Sequence, residues 1–341
     1  MKNQKICIIG DGFTGLITSL VLSNEDLDIT LFYKSSSKRE IKDHRATAIS
    51  ESNYQFLISA IPELDKKDFW GSNNVSLFLQ RGNKNKNFLN IREDKKKLMH
   101  IFQNSEMKKK LRRIMKSKNV KIVKNSVNDI SSIMNYYDLI IVCAGSKSKI
   151  YENLGLSRKI FKNYNEYSIS GQIEHKNELT EISQYFLKEG PFALLPINKR
   201  LTSFVWTVDD NLYFKFKNDL KNIIEERIKG ILKKRFNIIK IQTYPVNLTL
   251  RKKYFKKNVL ILGEGLHSVH PLAGQGFNLI LRDIRELQRI IRDKIKIGLE
   301  IKNSFALNEF SNFRKSDNIL MSLGIDATHF FFKSNNIPDN L

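Results

Sequence analysis
Cysteine is nearly absent from this chain of 341 residues, with only Cys7 and Cys143, each at a segment that reads as a buried strand. That excludes a disulfide framework, and Cys143 reads as a small buried hydrophobe. No apolar run approaches the length that spans a bilayer, and no secretory leader precedes the first strand. The expected location is therefore cytoplasmic, with at most peripheral contact at the inner face of the membrane. No clustered ligand set points to a metal, and no internal repeat is visible. The only low-complexity stretches, Ser35-Ser36-Ser37 and Asn83 to Asn87, read as exposed loops. Acidic residues are outnumbered, 35 against 58 basic ones, which leaves a formal charge of +23. Because the lysines are spread along the chain and no nucleic-acid module occurs, nucleic acid is not the expected partner. Attraction to an anionic membrane surface fits such scattered charge better.

Two glycine-rich segments far apart in the chain carry the chemistry. The first follows the apolar run Lys5-Ile6-Cys7-Ile8-Ile9: Gly10-Asp11-Gly12-Phe13-Thr14-Gly15 opens a helical pattern through Leu16, Ser19, Leu20 and Leu22. A G-x-G-x-x-G between strand and helix permits a tight turn, close approach of a pyrophosphate and close helix–strand packing, with the phosphates at the helix N-terminus. The ribose-binding acid expected about 20 residues on is missing. The second strand, Asp28 to Phe32, ends at Tyr33-Lys34, so the Tyr33 hydroxyl or water is left for that task. The second segment runs from Gly263-Glu264-Gly265 through His267, His270-Pro271-Leu272-Ala273 and Gly274-Gln275-Gly276-Phe277-Asn278 to Asp283. It lies between the apolar run Asn258 to Leu262 and a helical pattern through Leu279, Leu287, Ile290 and Ile291, so it joins strand to helix. Glycines there let backbone approach a ligand, and the helix start offers unpaired N–H groups to an electron-rich ring.

The second segment resembles the second FAD motif of the class A flavin-dependent aromatic-ring monooxygenases, most of all the ubiquinone-biosynthesis hydroxylases. Further matches follow in that family's order. Asp43 to Ser50 resembles a segment whose arginine lies near the cofactor, a role that would fall on Arg45, or Arg45 is a solvated surface charge. Ile101-Phe102-Gln103-Asn104 is similar to the helix start that approaches the flavin phosphates, with Asn104 as contact or as a plain N-cap. Tyr137 to Ser148 corresponds to a strand and loop in which Ala144 stands where the family carries an aspartate tied to FAD and nicotinamide handling. Phe186, Gly190-Pro191-Phe192 to Pro196 and Ser203 to Thr207 are similar to strands that roof the substrate in relatives.

The resemblance implies an α/β fold with a Rossmann-like FAD-binding domain and an interleaved α+β substrate domain, as in p-hydroxybenzoate hydroxylase. Residues 1–74, 94–160 and 246–300 would form the FAD domain, 75–93 and 161–245 the substrate domain, and 301–341 a C-terminal helical segment. Cofactor contacts would come from Gly10, Gly12, Gly15, Tyr33, Arg45, Asn104, Gly263, Glu264, Gly274, Gln275, Gly276, Phe277 and Asn278. His270, Pro271, Leu272, Phe192 and Trp206 would face substrate and peroxide, although Phe192 and Trp206 suit a core equally well. His267 and His270 either bond near the flavin or are satisfied by loop backbone, and neither is assigned as a base. The implied reaction is hydroxylation of a polyprenyl phenol in ubiquinone biosynthesis through a flavin C4a-hydroperoxide, with O2 and electrons from NAD(P)H or a protein donor. A same-fold flavin reductase that does not use O2, and a non-catalytic scaffold of a quinone-biosynthesis complex, share the same motifs and stay open. The tail Phe330-Phe331-Phe332-Lys333 suits lipid contact or the packing of a terminal helix.

Overall fold
The computed structural model describes residues 3–34, 43–82, 84–127, 129–176, 179–232, 235–302 and 304–333. The stretch Ser35 to Ser37 lies outside them. The first half of the chain supplies β1 (Gln4–Ile9), α1 (Phe13–Leu22), β2 (Leu27–Phe32), β3 (Ala46–Ser50), α2 (Glu51–Ala60), β4 (Trp70–Ser72), β5 (Asn74–Arg81), β6 (Lys84–Arg92), β7 (Met99–Gln103), α3 (Asn104–Met115), β8 (Val120–Val123), β9 (Leu139–Val142) and α4 (Ile150–Asn153). The second half supplies β10 (Lys159–His175), β11 (Ile182–Leu187), β12 (Gly190–Asn198), β13 (Leu201–Asp209), α5 (Asp210–Phe216), α6 (Leu220–Leu232), β14 (Phe236–Arg251), β15 (Phe255–Lys256), β16 (Val259–Ile261), β17 (His267–Ser268), α7 (Gln275–Lys296) and α8 (Ser304–Lys333).

A six-stranded sheet in the order β15-β16-β9-β1-β2-β8 forms the first layer, parallel except at β15. Its central strands read as apolar runs because both faces are covered; Leu139 to Val142 are wholly buried. An eight-stranded sheet in the order β17-β14-β10-β13-β12-β11-β5-β6 forms the second layer, antiparallel except where β11 meets β5. It draws on residues from 74 to 92, from 159 to 251 and at 267–268, so the chain passes between the two layers repeatedly. Residues 84 to 87, expected as a loop, open the exposed strand β6 instead: pairing with β5 from Arg81↔Lys84 to Phe78↔Asn87 offsets the weak strand propensity of Asn and Lys.

The second sheet is covered on both faces. Phe192, Phe204 and Trp206 pack with Ile224 and Ile228 of α6 on one of them. A separate cluster joins Tyr164, Phe186, Val246 and Leu248 to Leu272, Leu279 and Ile325 of the α7 and α8 side. Phe192 and Trp206 are 0% exposed and join the cluster with α6, which is the core role that the sequence left open beside the substrate face. The face a residue joins depends on register, and Phe192↔Trp206 are direct partners on the α6 side.

The long helix α8 is tied to the first layer by one buried carboxylate. Asp283 of α7 is 0% exposed, receives Arg314 Nε at 2.6 Å and Asn318 Nδ2 at 3.2 Å on Oδ1, and faces His267 Nε2 at 2.5 Å across Oδ2. Burial alone would raise the Asp283 pKa, but His267 and Arg314 outweigh it and hold the carboxyl below its ordinary range. Removing one partner of a buried pair leaves an uncompensated charge, so Arg314→Met is expected to lower stability by about 3–5 kcal/mol, read from the urea midpoint. The native pKa being depressed, the pair's contribution is complete above the ordinary aspartate value and fades as pH falls through the lower native one. Wild type should therefore lose its advantage over Arg314→Met only in that acidic window.

Candidate cofactor site
The two glycine-rich segments meet at the C-terminal ends of β1, β9 and β16, around a cleft of about 500 Å³. Three glycines are required by neighbouring atoms. A Cβ on Gly15 would lie 1.7 Å from the Gly10 carbonyl oxygen, one on Gly10 (φ +113°) 2.5 Å from the Cys143 carbonyl oxygen, and one on Gly263 (φ +79°) 2.5 Å from Thr14 Oγ1. These contacts draw α1 against β1 and seat the Gly263 turn on the start of α1. At Gly12 a Cβ would meet nothing within 4 Å, and at Gly276 only Val269 at 3.6 Å. No neighbouring side chain or backbone demands glycine at these two positions, which fits a ligand that lies against the bare backbone.

Neither helix start is closed by its own side chains. Gly12 and Gly274 are the N-caps of α1 and α7, without a side-chain cap bond or an acid in the first turn. Without such caps the positive dipole ends of both helices favour an anion. Lys108, Lys109 and Arg112 of α3 line the same cleft, and Arg112 lies 2.5 Å from Asp11, offsetting the charge of the acid within the glycine loop. These cations went unread in the sequence, although Lys108 and Arg112 stand one helical turn apart. Glu264, Phe277, Ala144 and Gly145 complete the wall, with Phe277 edge-on to Phe13 at 5.5 Å. Tyr33 is half-buried beyond β2, bonds Val123 through its backbone N–H and does not line the cleft.

Arg45 and Asn104 belong to one network. Arg45 donates Nε and a terminal N–H to Asp43, each at 2.8 Å, and its guanidinium sits 4.6 Å from the Tyr244 ring centre. Asn104 donates to Asp43 at 2.9 Å and accepts from Thr47 at 2.7 Å. Asp43 and Asn104 reach the cleft wall, and Arg45 holds Asp43 there. Burial would raise Asp43 and lower Arg45, yet their mutual hydrogen bonds and charges win, lowering the first and raising the second.

The loop ahead of α7 is held from several sides. Gly274 has φ +64° and its Cβ position is uncrowded, with Ala48 no nearer than 3.8 Å, so glycine is needed there for its backbone angle. The Asn278 amide donates to the Ala48 and Gly274 carbonyls and accepts from Ser50 N–H and Asn53, which occupies its hydrogen-bonding capacity within the protein. Gln275 opens α7, Pro271 caps the short turn before it, and Leu272 is buried against the second sheet. His267 bonds Asp283, and His270 bonds Glu166 of β10 at 2.9 Å. Glu166, His270 and His329 place their ligand-type atoms within 4.8 Å of one another, a juxtaposition the sequence spacing did not show. A larger cavity of about 640 Å³ lies between α7, α8 and the β3–α2 turn, lined by Arg282, Arg285 and Asp317, but it has no glycine-rich backbone or free helix start. The smaller cleft has both.

The profile of the FAD binding domain family matches residues 93–296. Ubiquinone hydroxylase UbiL of Rhodospirillum rubrum is 27% identical over 209 residues, 59% of this chain and 48% of that protein. The mitochondrial ubiquinone biosynthesis monooxygenase COQ6 of Dictyostelium discoideum is 26% identical over 188 residues, 45% of this chain and 38% of that one. The chain spans about half the length of the curated relatives it matches, or less. Among solved structures, p-nitrophenol 4-monooxygenase PnpA of Pseudomonas putida superposes with a TM-score of 0.76 at 14% identity, over 100% of this chain and 92% of that one. With the profile covering more than half of its length, the chain belongs to the FAD binding domain family, and its cofactor is FAD.

Proposed function
We propose that this protein is an FAD-dependent monooxygenase that hydroxylates the aromatic ring of a polyprenyl phenol in ubiquinone biosynthesis. The observation that carries the reading is the convergence of both glycine motifs, two helix starts without side-chain caps and the α3 cations on one cleft, in a chain related to ubiquinone hydroxylases. When bound, FAD supplies the activation of O2: one oxygen atom enters a ring C–H bond, the other leaves as water, and a reductant gives two electrons. The chain's own residues bind and tune. The N–H groups at the start of α1, with Lys108 and Arg112, would hold the pyrophosphate, and the start of α7 would favour negative charge on the flavin ring. The His270 to Gly274 turn would shape the face where oxygen meets substrate. The reductant is NAD(P)H or a protein donor, and Ala144 in the cleft wall marks where nicotinamide response is to be measured.

Peripheral membrane contact belongs to the same reading, alongside association with a quinone-biosynthesis complex. No helix among the described residues is long and apolar enough to cross a membrane. On α8, however, Ile319, Leu320, Leu323 and Phe330 are exposed, together with uncharged Ser316, Gly324, Ala327 and Thr328. An uncharged helix face on a chain of +23 suits the surface of an anionic bilayer.

Purified protein should show a flavin spectrum and release FAD, and with 18O2 and a reductant it should place one labelled atom in a prenylated phenol; FAD without labelled product would leave the reductase reading. Gly12→Val and Gly276→Val should keep the melting temperature while raising the FAD Kd at least tenfold, whereas Gly15→Val should fail to fold. Equal loss of stability in all three would remove the ligand from this cleft. Binding to anionic vesicles should fall severalfold in Leu320→Glu/Leu323→Glu, and unchanged sedimentation would take the membrane away from α8.

A further inference from the structure
Glu166 lies in β10 where the pairing with β14 jumps between Asn163 and Tyr167, with Asn165 in the left-handed region at φ +54°. Such an irregularity re-aims side chains, and here Glu166 is 5% exposed beneath the loop that precedes α7. Its carboxylate meets three donors: His270 Nε2 at 2.9 Å, His329 Nε2 at 3.0 and 3.1 Å, and Lys333 Nζ at 2.6 Å. Burial would raise its pKa, but these three outweigh it, so it is an anion. His270 has its other nitrogen engaged as well, since Nδ1 accepts the Leu272 backbone N–H at 3.1 Å. An imidazole nitrogen that accepts from an N–H carries no proton, so the ring's one proton is on Nε2, facing Glu166.

We propose that Glu166 is a positioning residue for the flavin site: by accepting from His270 Nε2–H it fixes that ring's tautomer, keeps Nδ1 available to Leu272 N–H, and thereby sets the His270 to Gly274 turn on which α7 begins. His329 and Lys333 reach the same carboxylate from α8, so the seating of the last turns of that helix is coupled to the loop. A second acid, Asp326, anchors the same end of α8 through Tyr164 and through Lys162 at 2.9 Å without touching His270. That separates loop positioning from mere attachment of the helix. The proposal rests on the FAD reading for its functional consequence, but its geometry does not.

The test pairs the ring tautomer in the apoprotein with the FAD Kd of the full chain. Long-range 1H–15N correlation should show His270 neutral, protonated at Nε2, in wild type and in Asp326→Asn. Glu166→Leu removes every acceptor and should mix the tautomers and raise the FAD Kd about tenfold or more, the loss of one hydrogen bond to a charged group. Glu166→Gln keeps an acceptor oxygen without the charge, so it should hold the Nε2–H tautomer and return the Kd to within about threefold of wild type. A His270 protonated at Nδ1 in wild type, an unchanged Kd in Glu166→Leu, or an equal loss in Asp326→Asn would each overturn the assignment. If wild type bound no FAD at all, the cofactor reading would fall while the tautomer measurement still judged the geometry.

Discussion

The closeness of backbone to backbone where β1 gives way to α1 is the constraint on which the site depends. With Gly10 and Gly15 in near contact and Gly263 seated on Thr14, two segments some 250 positions apart in sequence share one cleft wall. A single Cβ at Gly15 would push α1 off the sheet, and with it the helix start that faces the anion. The apolar stretch Ile6 to Ile9 of β1, with β9 and β16, follows from the same arrangement, because a parallel sheet covered on both faces has no polar side to offer. Burial also pushes the Cys7 thiol up to about 12 and raises Cys143, so both remain neutral packing atoms.

Two buried carboxylates then decide how the layers sit together. Asp283 grips α8 through Arg314 and Asn318 on the FAD side, and Glu166 grips the far end of the same helix through His329 and Lys333 on the second sheet. Each also holds a histidine of the second glycine motif, Asp283 through His267 and Glu166 through His270. The loop at the start of α7 is therefore set between both layers rather than by its own sequence alone. Such carboxylates are costly to desolvate, and they persist because every lone pair that matters has a donor.

Much of the fold was legible in the residues, and so were Gly10, Gly12, Asn104, Glu264 and Phe277 of the cleft wall. The strand-turn-helix pattern at Gly10 to Gly15 and the run from Gly263 to Asn278 announced their backbone roles, because glycine spacing and apolar periodicity are local properties. Phe192 and Trp206 fitted either reading, because a strand's two faces look alike until register assigns them. Asn278 carries a site motif, yet its amide is engaged by β3 and α2, a partnership set by packing alone.

Sequence by itself determined the two strand-turn-helix units and the identity of their glycines, since these need only neighbours along the chain and a steric rule, while the cofactor class and the parallel core were read through resemblance to a family. Tertiary structure alone decided that Arg112 meets Asp11, that Arg45 braces Asp43, and that Glu166 meets His270, His329 and Lys333. Those pairs span from 2 to 167 positions, and the charges within them acquire a role only when burial brings them together and leaves each other as partners. A charge written in a sequence is solvated by default, and only folding removes the water that would otherwise make its position irrelevant.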